Sequence, residues 1–182
     1  MCSSDLLARA GVAVVGLEPS CLLTLRDEAL AMGLGERAEV VAAQALLFEE
    51  FVAREAKAGR FALQLQPLGK PILLHGHCHQ KAFDAVSPVL DVLRLIPGAK
   101  PELIESSCCG MAGSFGYEAR HHDVSLRMAE ASLLPAVRNA PDAVIVADGT
   151  SCRHQIAGGA GREALHAARL LASLLPGADG TG

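Results

Sequence analysis

Aromatic residues are scarce in this chain of 182 residues. They make up 3% of the sequence, with five Phe, one Tyr and no Trp. Few platforms are therefore available for stacking nucleic-acid bases, and the net charge of -4 repels a phosphate backbone. These features argue against nucleic acid as a partner.

Long apolar runs and targeting signals are also missing. No apolar run reaches the roughly 18 to 20 residues that span a bilayer, and the N-terminus lacks the basic start and cleavage site of a signal peptide. We therefore expect a cytoplasmic location and no transmembrane segment. Apolar residues still make up 51% of the chain and charged residues 20%, which is enough to build a buried core.

Six cysteines are present, and four of them lie in segments rich in Gly and His. These four are Cys78, Cys108, Cys109 and Cys152. In a reducing compartment such a set fits metal ligation better than disulfide formation. The alternatives are small buried core residues and a structural zinc site.

The adjacent thiols of Cys108 and Cys109 are poorly placed for a disulfide with each other. Both can nevertheless reach one metal cluster if the backbone turns sharply there. Gly110, Gly113 and Gly116 supply the conformational freedom for such a turn. We expect the backbone N–H groups of this glycine loop to donate hydrogen bonds to cluster sulfurs.

Apolar runs alternate with amphipathic segments along the chain. The predicted strands are 11–17 (buried, with no preceding helix), 61–65, 72–74, 103–104 and 143–147. The predicted helices are one after Pro19 capped by Ser20 or Thr24, then 36–58, 86–95, 123–138 and 162–175. This alternation predicts an α/β fold with a mostly parallel sheet and flanking helices. Because the carboxyl ends of parallel strands share one edge, the four thiols should converge there.

An internal repeat suggests duplicated cysteine-rich lobes. Segment 14–21 matches segment 145–152 in form, since each has an apolar strand, turn residues and then Ser-Cys, at an offset of 152 − 21 = 131 residues. The first lobe is expected to be truncated. Cys21 would be a ligand of a metal site that belongs to this first lobe.

The repeat also divides the chain. We expect residues 1–10 to be a non-native or truncated start, in which Cys2 has no function. Residues 11–60 form the end of the first lobe with a linking helix, 61–176 form the second lobe, and 177–182 form a flexible tail.

Four segments together resemble the cysteine-rich CCG-type domain. They are 17–21 (Leu-Glu-Pro-Ser-Cys), 75–81 (His-Gly-His-Cys-His-Gln-Lys), 105–117 around Cys-Cys-Gly, and 147–155 around Ser-Cys-Arg-His-Gln. More closely, they resemble the C-terminal iron–sulfur part of FAD-linked oxidases, relatives of glycolate oxidase iron–sulfur subunits. The resemblance extends from about residue 11 to about residue 175.

This resemblance implies a function in electron transfer. By likeness to heterodisulfide reductase B-type subunits, Cys78, Cys108, Cys109 and Cys152 occupy ligand positions of a 4Fe-4S-type cluster. The cluster would relay electrons from a flavin, reduced by lactate, glycolate or 2-hydroxyglutarate, to an unidentified acceptor. FAD and a ferredoxin-type iron–sulfur module would belong to partner domains or subunits, which could hold the protein at the inner membrane. The chain alone is expected to be inactive.

The sequence departs from the family pattern at one position. The broader motif ends in Cys-x-x-Cys, whereas Gln155 occupies the last position here. His77, His79 or His154 is a candidate to replace the missing ligand or to tune the centre by hydrogen bonding. On an extended segment, however, His77 and His79 would share a face from which Cys78 points away. A structural zinc domain and a heterodisulfide-reductase-like catalytic module remain the alternatives.

Overall fold

A computed structural model describes residues 3–177 of the chain. Residues 1–2 and 178–182 lie outside this range, and so do the prediction for Cys2 and most of the predicted tail.

Strands and helices alternate throughout the described residues. The strands are β1 (Val14–Gly16), β2 (Ala45–Leu47), β3 (Ile72–Leu74), β4 (Pro101–Leu103), β5 (Val144–Val146) and β6 (Ala164–Leu165). The α-helices are α1 (Ser3–Arg9), α2 (Pro19–Arg26), α3 (Glu28–Ala31), α4 (Glu36–Gln44), α5 (Phe48–Lys57), α6 (Cys78–Ala82), α7 (Ser87–Leu93), α8 (His122–Glu130), α9 (Leu133–Arg138), α10 (Thr150–Ala160) and α11 (Ala167–Ser173).

The strands form two parallel sheets. The larger sheet has the order β4-β3-β5-β6, and β1 pairs with β2 in a separate two-stranded sheet. The predicted α/β class, with parallel sheets and flanking helices, is confirmed. The duplication of the lobes and the domain boundaries stay predictions.

The larger sheet is buried on both faces. Leu74 and Val146 face a cluster formed with helices α5, α7 and α11, whereas the neighbouring Ile145 faces a second cluster formed with α9 and α10. Successive side chains of a strand point to opposite faces, so the continuous apolar runs of β3 and β5 supply both clusters. The packing fixes the loops that leave the carboxyl ends of these strands.

The predicted helix 36–58 is wrong at its centre, because β2 divides it into α4 and α5. Ala45–Leu47 leave the helix to pair with β1, and Leu47 becomes fully buried. The Glu50 carboxylate accepts a hydrogen bond from the Leu47 N–H at 2.8 Å, which caps the start of α5. A tertiary strand pairing thus overrides helical periodicity.

The predicted strand 61–65 is also wrong, since this segment is not assigned to any strand. Phe61 and Leu65 do pack against the core, which explains their alternating pattern. The neighbouring Gln66 N–H donates to the Leu174 carbonyl at 2.8 Å. The segment therefore packs beside α11 without joining a sheet ladder.

Two predicted C-terminal helices are interrupted. Helix 123–138 is broken between α8 and α9, where Pro135 lies in the first turn of α9 and cannot continue a preceding helix. Helix 162–175 is replaced by β6 and α11, and the His166 Nδ1 accepts the Ala168 N–H at 3.0 Å to cap α11. The helices α6 and α10, which follow β3 and β5, were not predicted.

The N-terminal prediction fails in three respects. Helix α1 precedes β1, although no preceding helix was predicted. Val15 in β1 is 43% exposed, so the strand is not buried as predicted. Glu18, and not Ser20 or Thr24, occupies the N-cap of α2, without a capping side-chain hydrogen bond. The Ser20 hydroxyl instead donates to the Glu18 carboxylate at 2.9 Å, and the Thr24 hydroxyl donates to the Ser20 carbonyl within α2 at 2.8 Å.

Among the residues described, we find no helix with the length and apolar content needed to cross a membrane.

Candidate metal centre

The four thiols follow three adjacent strands of the larger sheet. Cys78 begins α6 after β3, Cys108 and Cys109 follow β4, and Cys152 lies in the first turn of α10 after β5. The parallel register places the carboxyl ends of these strands side by side. The thiols therefore gather at one edge of the sheet, although their role as metal ligands stays a prediction.

The sulfur atoms form a continuous row. Cys109 Sγ and Cys152 Sγ lie 3.3 Å apart, and Cys108 shares side-chain hydrogen bonds with Cys109 and with Cys78. Cys152 and Cys109 are buried, at 1% and 4% exposure, whereas Cys78 at the other end is exposed. The row thus runs from the interior to the surface.

Hydrogen bonds between the sulfurs separate their pKa values. The hydrogen bonds of Cys108 with Cys109 and Cys78 lower its pKa to about 2, and the hydrogen bond between Cys152 and Cys109 lowers the pKa of Cys152 to about 5. The same bonds to Cys108 raise the pKa of Cys78 and of Cys109. Because a metal binds thiolates, we expect metal binding to release the protons held between these sulfurs.

His75 is a residue that the sequence analysis missed. It directly follows β3, is 1% exposed, and its ring nitrogen lies within 4.8 Å of the sulfurs of Cys109 and Cys152. Its Nδ1 is 2.9 Å from the Ser106 hydroxyl, while its Nε2 is buried without a hydrogen-bond partner. The sequence feature that could have identified it is its position directly after an apolar strand, three residues before Cys78.

His77 and His79 lie beside Cys78, and the ligand atoms of all three residues are within 4.8 Å of one another. Their rings stack at 5.3 Å between centroids. The expectation that Cys78 points away fails because the chain turns into α6 here: His77 Nδ1 accepts the His79 N–H at 3.2 Å and caps this helix. The cap engages the Nδ1 lone pair of His77.

Cys21 lies apart from this row of sulfurs. It is exposed in the first turn of α2, and among residues 3–177 it belongs to none of the groups of three possible ligands. Its assignment to a site of the first lobe stays a prediction.

The three glycines of the predicted loop have different surroundings. Gly110 donates its N–H to Cys108 Sγ at 3.3 Å. Gly116 donates its N–H to the Met111 carbonyl at 2.9 Å, and a Cβ on it would lie 2.5 Å from the Met111 sulfur. Gly113 has a φ of +66° and open space around it. Of these three glycines, Gly110 thus donates to a thiol sulfur, and the role of the loop in binding a cluster stays a prediction.

A fixed cation stabilises the Cys-Cys loop. The Lys81 ammonium donates hydrogen bonds to the carbonyls of Ser106 and, at 2.9 Å, of Ser107. These carbonyls directly precede Cys108. The positive charge thus lies close to the sulfur row, where it favours an anionic centre.

Buried polar contacts join the loops that carry Cys78 and Cys152. The Gln80 amide donates to the Asp148 carboxylate at 2.9 Å and accepts the His77 N–H at 3.0 Å. A Cβ on Gly149 would lie 2.3 Å from the His77 ring and 3.2 Å from Cys152 Sγ, so only glycine leaves room for both. These contacts hold the two loops in register.

Charged residues at the strand ends fix turns. The Glu18 carboxylate accepts hydrogen bonds from the Thr150 N–H and hydroxyl at 2.9 and 2.8 Å, which ties the turn before α2 to the start of α10. The Arg153 guanidinium donates to the carbonyls of Ala147 and Asp148. Each contact stabilises the loop that presents Cys152.

Gln155 has a structural role. Its side-chain amide is buried and donates to the carbonyl of Ser125 at 3.1 Å and to the Ser125 hydroxyl at 3.0 Å. It therefore joins α10 to α8.

A second buried polar cluster lies between the two sheets. Glu49, Asp148 and His166 place one ligand atom each within 4.8 Å of one another. His166 Nδ1 accepts the Ala168 N–H and its Nε2 lies 2.7 Å from the Leu17 carbonyl, so the ring is neutral with its proton on Nε2. Asp148 accepts two hydrogen bonds, whereas both oxygens of Glu49 have none. Burial and the Asp148 charge therefore raise the pKa of Glu49 well above its ordinary value.

Glu49 is expected to make stability depend on pH. Because its pKa is raised in the fold, the folded state holds a proton that the unfolded state releases above pH 4.5, so the unfolding free energy falls as pH rises from there toward the folded pKa. The slope should reach at most about 1.4 kcal/mol per pH unit. Glu49→Gln removes this ionisation and should flatten the slope, while stabilising the protein at neutral pH by about 1–3 kcal/mol.

Urea unfolding between pH 5 and pH 8 measures this effect. Glu39→Gln, which changes an exposed carboxylate on α4 in the same way, is the matched control and should leave the slope as it is. Equal slopes in the wild type and in Glu49→Gln would show that Glu49 does not hold this proton.

The donor set at the sheet edge fits a metal or an iron–sulfur cofactor. Four thiols and the free nitrogen of His75 are soft and borderline ligands of the kind that bind iron and zinc. Two thiolates bound at about 2.3 Å to one tetrahedral ion lie about 3.8 Å apart, close to the 3.3 Å between Cys109 and Cys152. Thiolates bound to different irons must lie farther apart, so a cluster requires these two loops to separate.

The chain is similar to parts of known dehydrogenases. It is 35% identical over 156 residues to D-2-hydroxyglutarate dehydrogenase of Escherichia coli (strain K12), which covers 82% of this chain and 14% of that protein. It is 27% identical over 171 residues to one subunit of the anaerobic glycerol-3-phosphate dehydrogenase of the same strain, covering 91% of this chain and 41% of that polypeptide. A D-2-hydroxyglutarate dehydrogenase of Pantoea ananatis is 30% identical over 154 residues.

No family model matches the chain, and no solved structure matches it significantly. The chain spans 14% of the length of the D-2-hydroxyglutarate dehydrogenases from Escherichia coli and Pantoea ananatis. Over most of its own length it is therefore similar to a minor part of proteins that are dehydrogenases by name.

Proposed function

We propose that this chain is the iron–sulfur electron-transfer domain of a dehydrogenase that oxidises a 2-hydroxyacid such as D-2-hydroxyglutarate. The observation that carries the proposal is the row of four thiols at one sheet edge, in a chain 35% identical to part of a D-2-hydroxyglutarate dehydrogenase. Iron–sulfur centres of this kind are held by cysteine thiolates.

The residues that would hold the cofactor are Cys78, Cys108, Cys109 and Cys152. A bound iron–sulfur cluster accepts and passes on one electron at a time. Cys109 and Cys152 are shielded from solvent, whereas the exposed Cys78 leaves one side of the centre accessible to a redox partner. Lys81 and the Gly110 N–H offset the negative charge on the sulfurs.

The flavin and the substrate pocket belong to other domains or subunits in this proposal. The similarity to one subunit of the anaerobic glycerol-3-phosphate dehydrogenase supports the existence of partner subunits. We propose that these partners carry FAD and a ferredoxin-type module, and that they associate with the inner membrane. A 2-hydroxyacid is favoured over glycerol 3-phosphate because the identity to D-2-hydroxyglutarate dehydrogenase is higher, at 35% against 27%.

Metal and acid-labile sulfide analysis tests the proposal. The chain is purified without oxygen, reconstituted with iron and sulfide, and its absorption spectrum is recorded. We expect iron and sulfide in similar amounts and a broad band near about 400 nm that bleaches on reduction. Iron without sulfide, or neither, would contradict the proposed cluster.

A structural zinc site is the second candidate, and one observation favours it. The 3.3 Å between Cys109 Sγ and Cys152 Sγ suits two ligands of a single ion. Stoichiometric zinc in protein purified without added metal, with no absorption band and no gain of iron on reconstitution, would make this a structural domain and exclude the electron-transfer role.

A further inference from the structure

We propose that His75 is a metal ligand through Nε2, and that it forms with Cys109 and Cys152 the buried part of the centre. This inference rests on the proposed function only in requiring that the sheet edge binds a metal. It adds a nitrogen ligand to the four thiols and makes the centre a mixed imidazole–thiolate site.

The tautomer of His75 is fixed by its surroundings. The Ser106 hydroxyl donates to the Ile104 carbonyl at 3.5 Å, so its oxygen is free to accept a hydrogen bond from His75 Nδ1 at 2.9 Å. The ring proton therefore resides on Nδ1, and Nε2 keeps a free lone pair. A hydrogen bond that orients the distal nitrogen in this way is typical of metal-bound histidines.

The free nitrogen of His75 belongs to a ring that lies beside the sulfur row. Nε2 is buried without a hydrogen-bond partner, and a ring nitrogen of His75 lies within 4.8 Å of Cys109 Sγ and Cys152 Sγ. Because Nδ1 is paired with the Ser106 hydroxyl, we infer that Nε2 is the nitrogen available to a metal. An unpaired buried polar atom is destabilising, so its presence beside two buried thiols needs an explanation. Coordination of a shared metal provides that explanation, because it pairs the nitrogen and both sulfurs at once.

The other two histidines of this segment are less well suited. His77 Nδ1 already accepts the His79 N–H and caps α6. His79 has an unpartnered Nδ1, but its side chain is only half-buried and it groups with the exposed Cys78. The fully buried ring of His75, held by Ser106, is the better-fixed ligand.

A neutral imidazole in place of a thiolate changes the electronic properties of the centre. Compared with a thiolate at the same position, it leaves the centre with one negative charge fewer, which raises the reduction potential, as in iron–sulfur centres with histidine ligands. We therefore expect His75→Cys to retain the metal and to lower the midpoint potential. His75→Gln should instead weaken metal binding by about 100-fold or more, since the loss of a supporting residue alone costs about 10–100-fold.

Pulsed electron paramagnetic resonance of the reduced, iron-loaded chain tests the ligand directly. We expect a hyperfine coupling to a nitrogen-14 nucleus of the imidazole in the wild type, its loss in His75→Gln, and no change in His122→Gln. His122 is exposed on α8 and serves as the matched control. A coupling that persists in His75→Gln, or that is lost in His77→Gln or His79→Gln instead, would overturn the assignment.

Two further measurements keep the test independent of folding and of the proposed function. If circular dichroism shows that His75→Gln is unfolded, Ser106→Ala keeps the ring and removes only its Nδ1 partner, and should weaken metal binding about 10-fold.

Iron and sulfide are measured in the same samples. If the chain binds only zinc, the electron-transfer role fails, and competition with a chelator still decides whether His75→Gln weakens binding; unchanged zinc affinity would refute the ligand.

Discussion

Cys109→Ser is expected to abolish metal binding by this protein. The Cys109 sulfur lies at the middle of the site, 3.3 Å from Cys152 Sγ and in hydrogen-bond contact with Cys108. A serine hydroxyl is a hard, weakly acidic ligand that does not replace a soft thiolate. We expect the metal content to fall at least 10-fold, as measured by elemental analysis of the protein after reconstitution and desalting.

Circular dichroism of the metal-free proteins distinguishes loss of metal binding from loss of the fold. Serine is close in size to cysteine, so the metal-free Cys109→Ser protein should keep the circular dichroism spectrum of the metal-free wild type. Ser107→Ala is the matched control, since it changes an exposed side chain of the same loop and keeps the carbonyl that binds Lys81. Unchanged metal content in Cys109→Ser would remove this residue from the proposed site.

The larger sheet and the gathering of the thiols could be predicted from the sequence. β3 and β5 are short apolar runs buried on both faces, and each is followed directly by residues with metal-binding chemistry. Parallel pairing then fixes the relative positions of their carboxyl ends, because the strands share one direction and one register. Local sequence and general topology suffice for this part of the fold.

The breaks in the predicted helices could not be found in the same way. Ala45–Leu47 have good helical propensity and apolar spacing, and they form β2 only because β1 is available to pair with them. The two residues of β6, Ala164–Leu165, are likewise a strand only because β5 lies beside them. Such short strands depend on distant partners, so windows of local periodicity do not detect them.

The side-chain directions of the histidines at the site could not be predicted from the sequence either. Whether His77 and Cys78 point to one side depends on whether the segment is extended or helical, and the start of α6 decides this through the Gln80 and His77 capping contacts. His75 was overlooked because a buried histidine at a strand end is as compatible with a filled core as with a ligand. Only the three-dimensional structure shows that its Nε2 is unpaired, and this observation favours a ligand over a core residue.

Gly110→Ala is expected to be among the most destabilising single substitutions in the chain. Gly110 has a φ of +88°, and a Cβ on it would lie 2.2 Å from the Ser125 carbonyl oxygen, which is part of the α8 backbone. Relief of this overlap requires the Cys-Cys loop to move away from α8. We expect a loss of at least about 4 kcal/mol in unfolding free energy, measured by denaturant titration, together with loss of metal binding.

Gly113→Ala distinguishes the overlap from the cost of the backbone conformation. Gly113 also has a positive φ, +66°, but a Cβ there meets no atom within 4 Å. This variant should lose only about 1 kcal/mol, the usual cost of alanine in the left-handed region, and should keep its metal. Equal losses in both variants would show that backbone strain, and not the close approach of the loop to α8, requires glycine at position 110. A large loss confined to Gly110→Ala would show instead that Ser125 and α8 support the loop that presents Cys108 and Cys109.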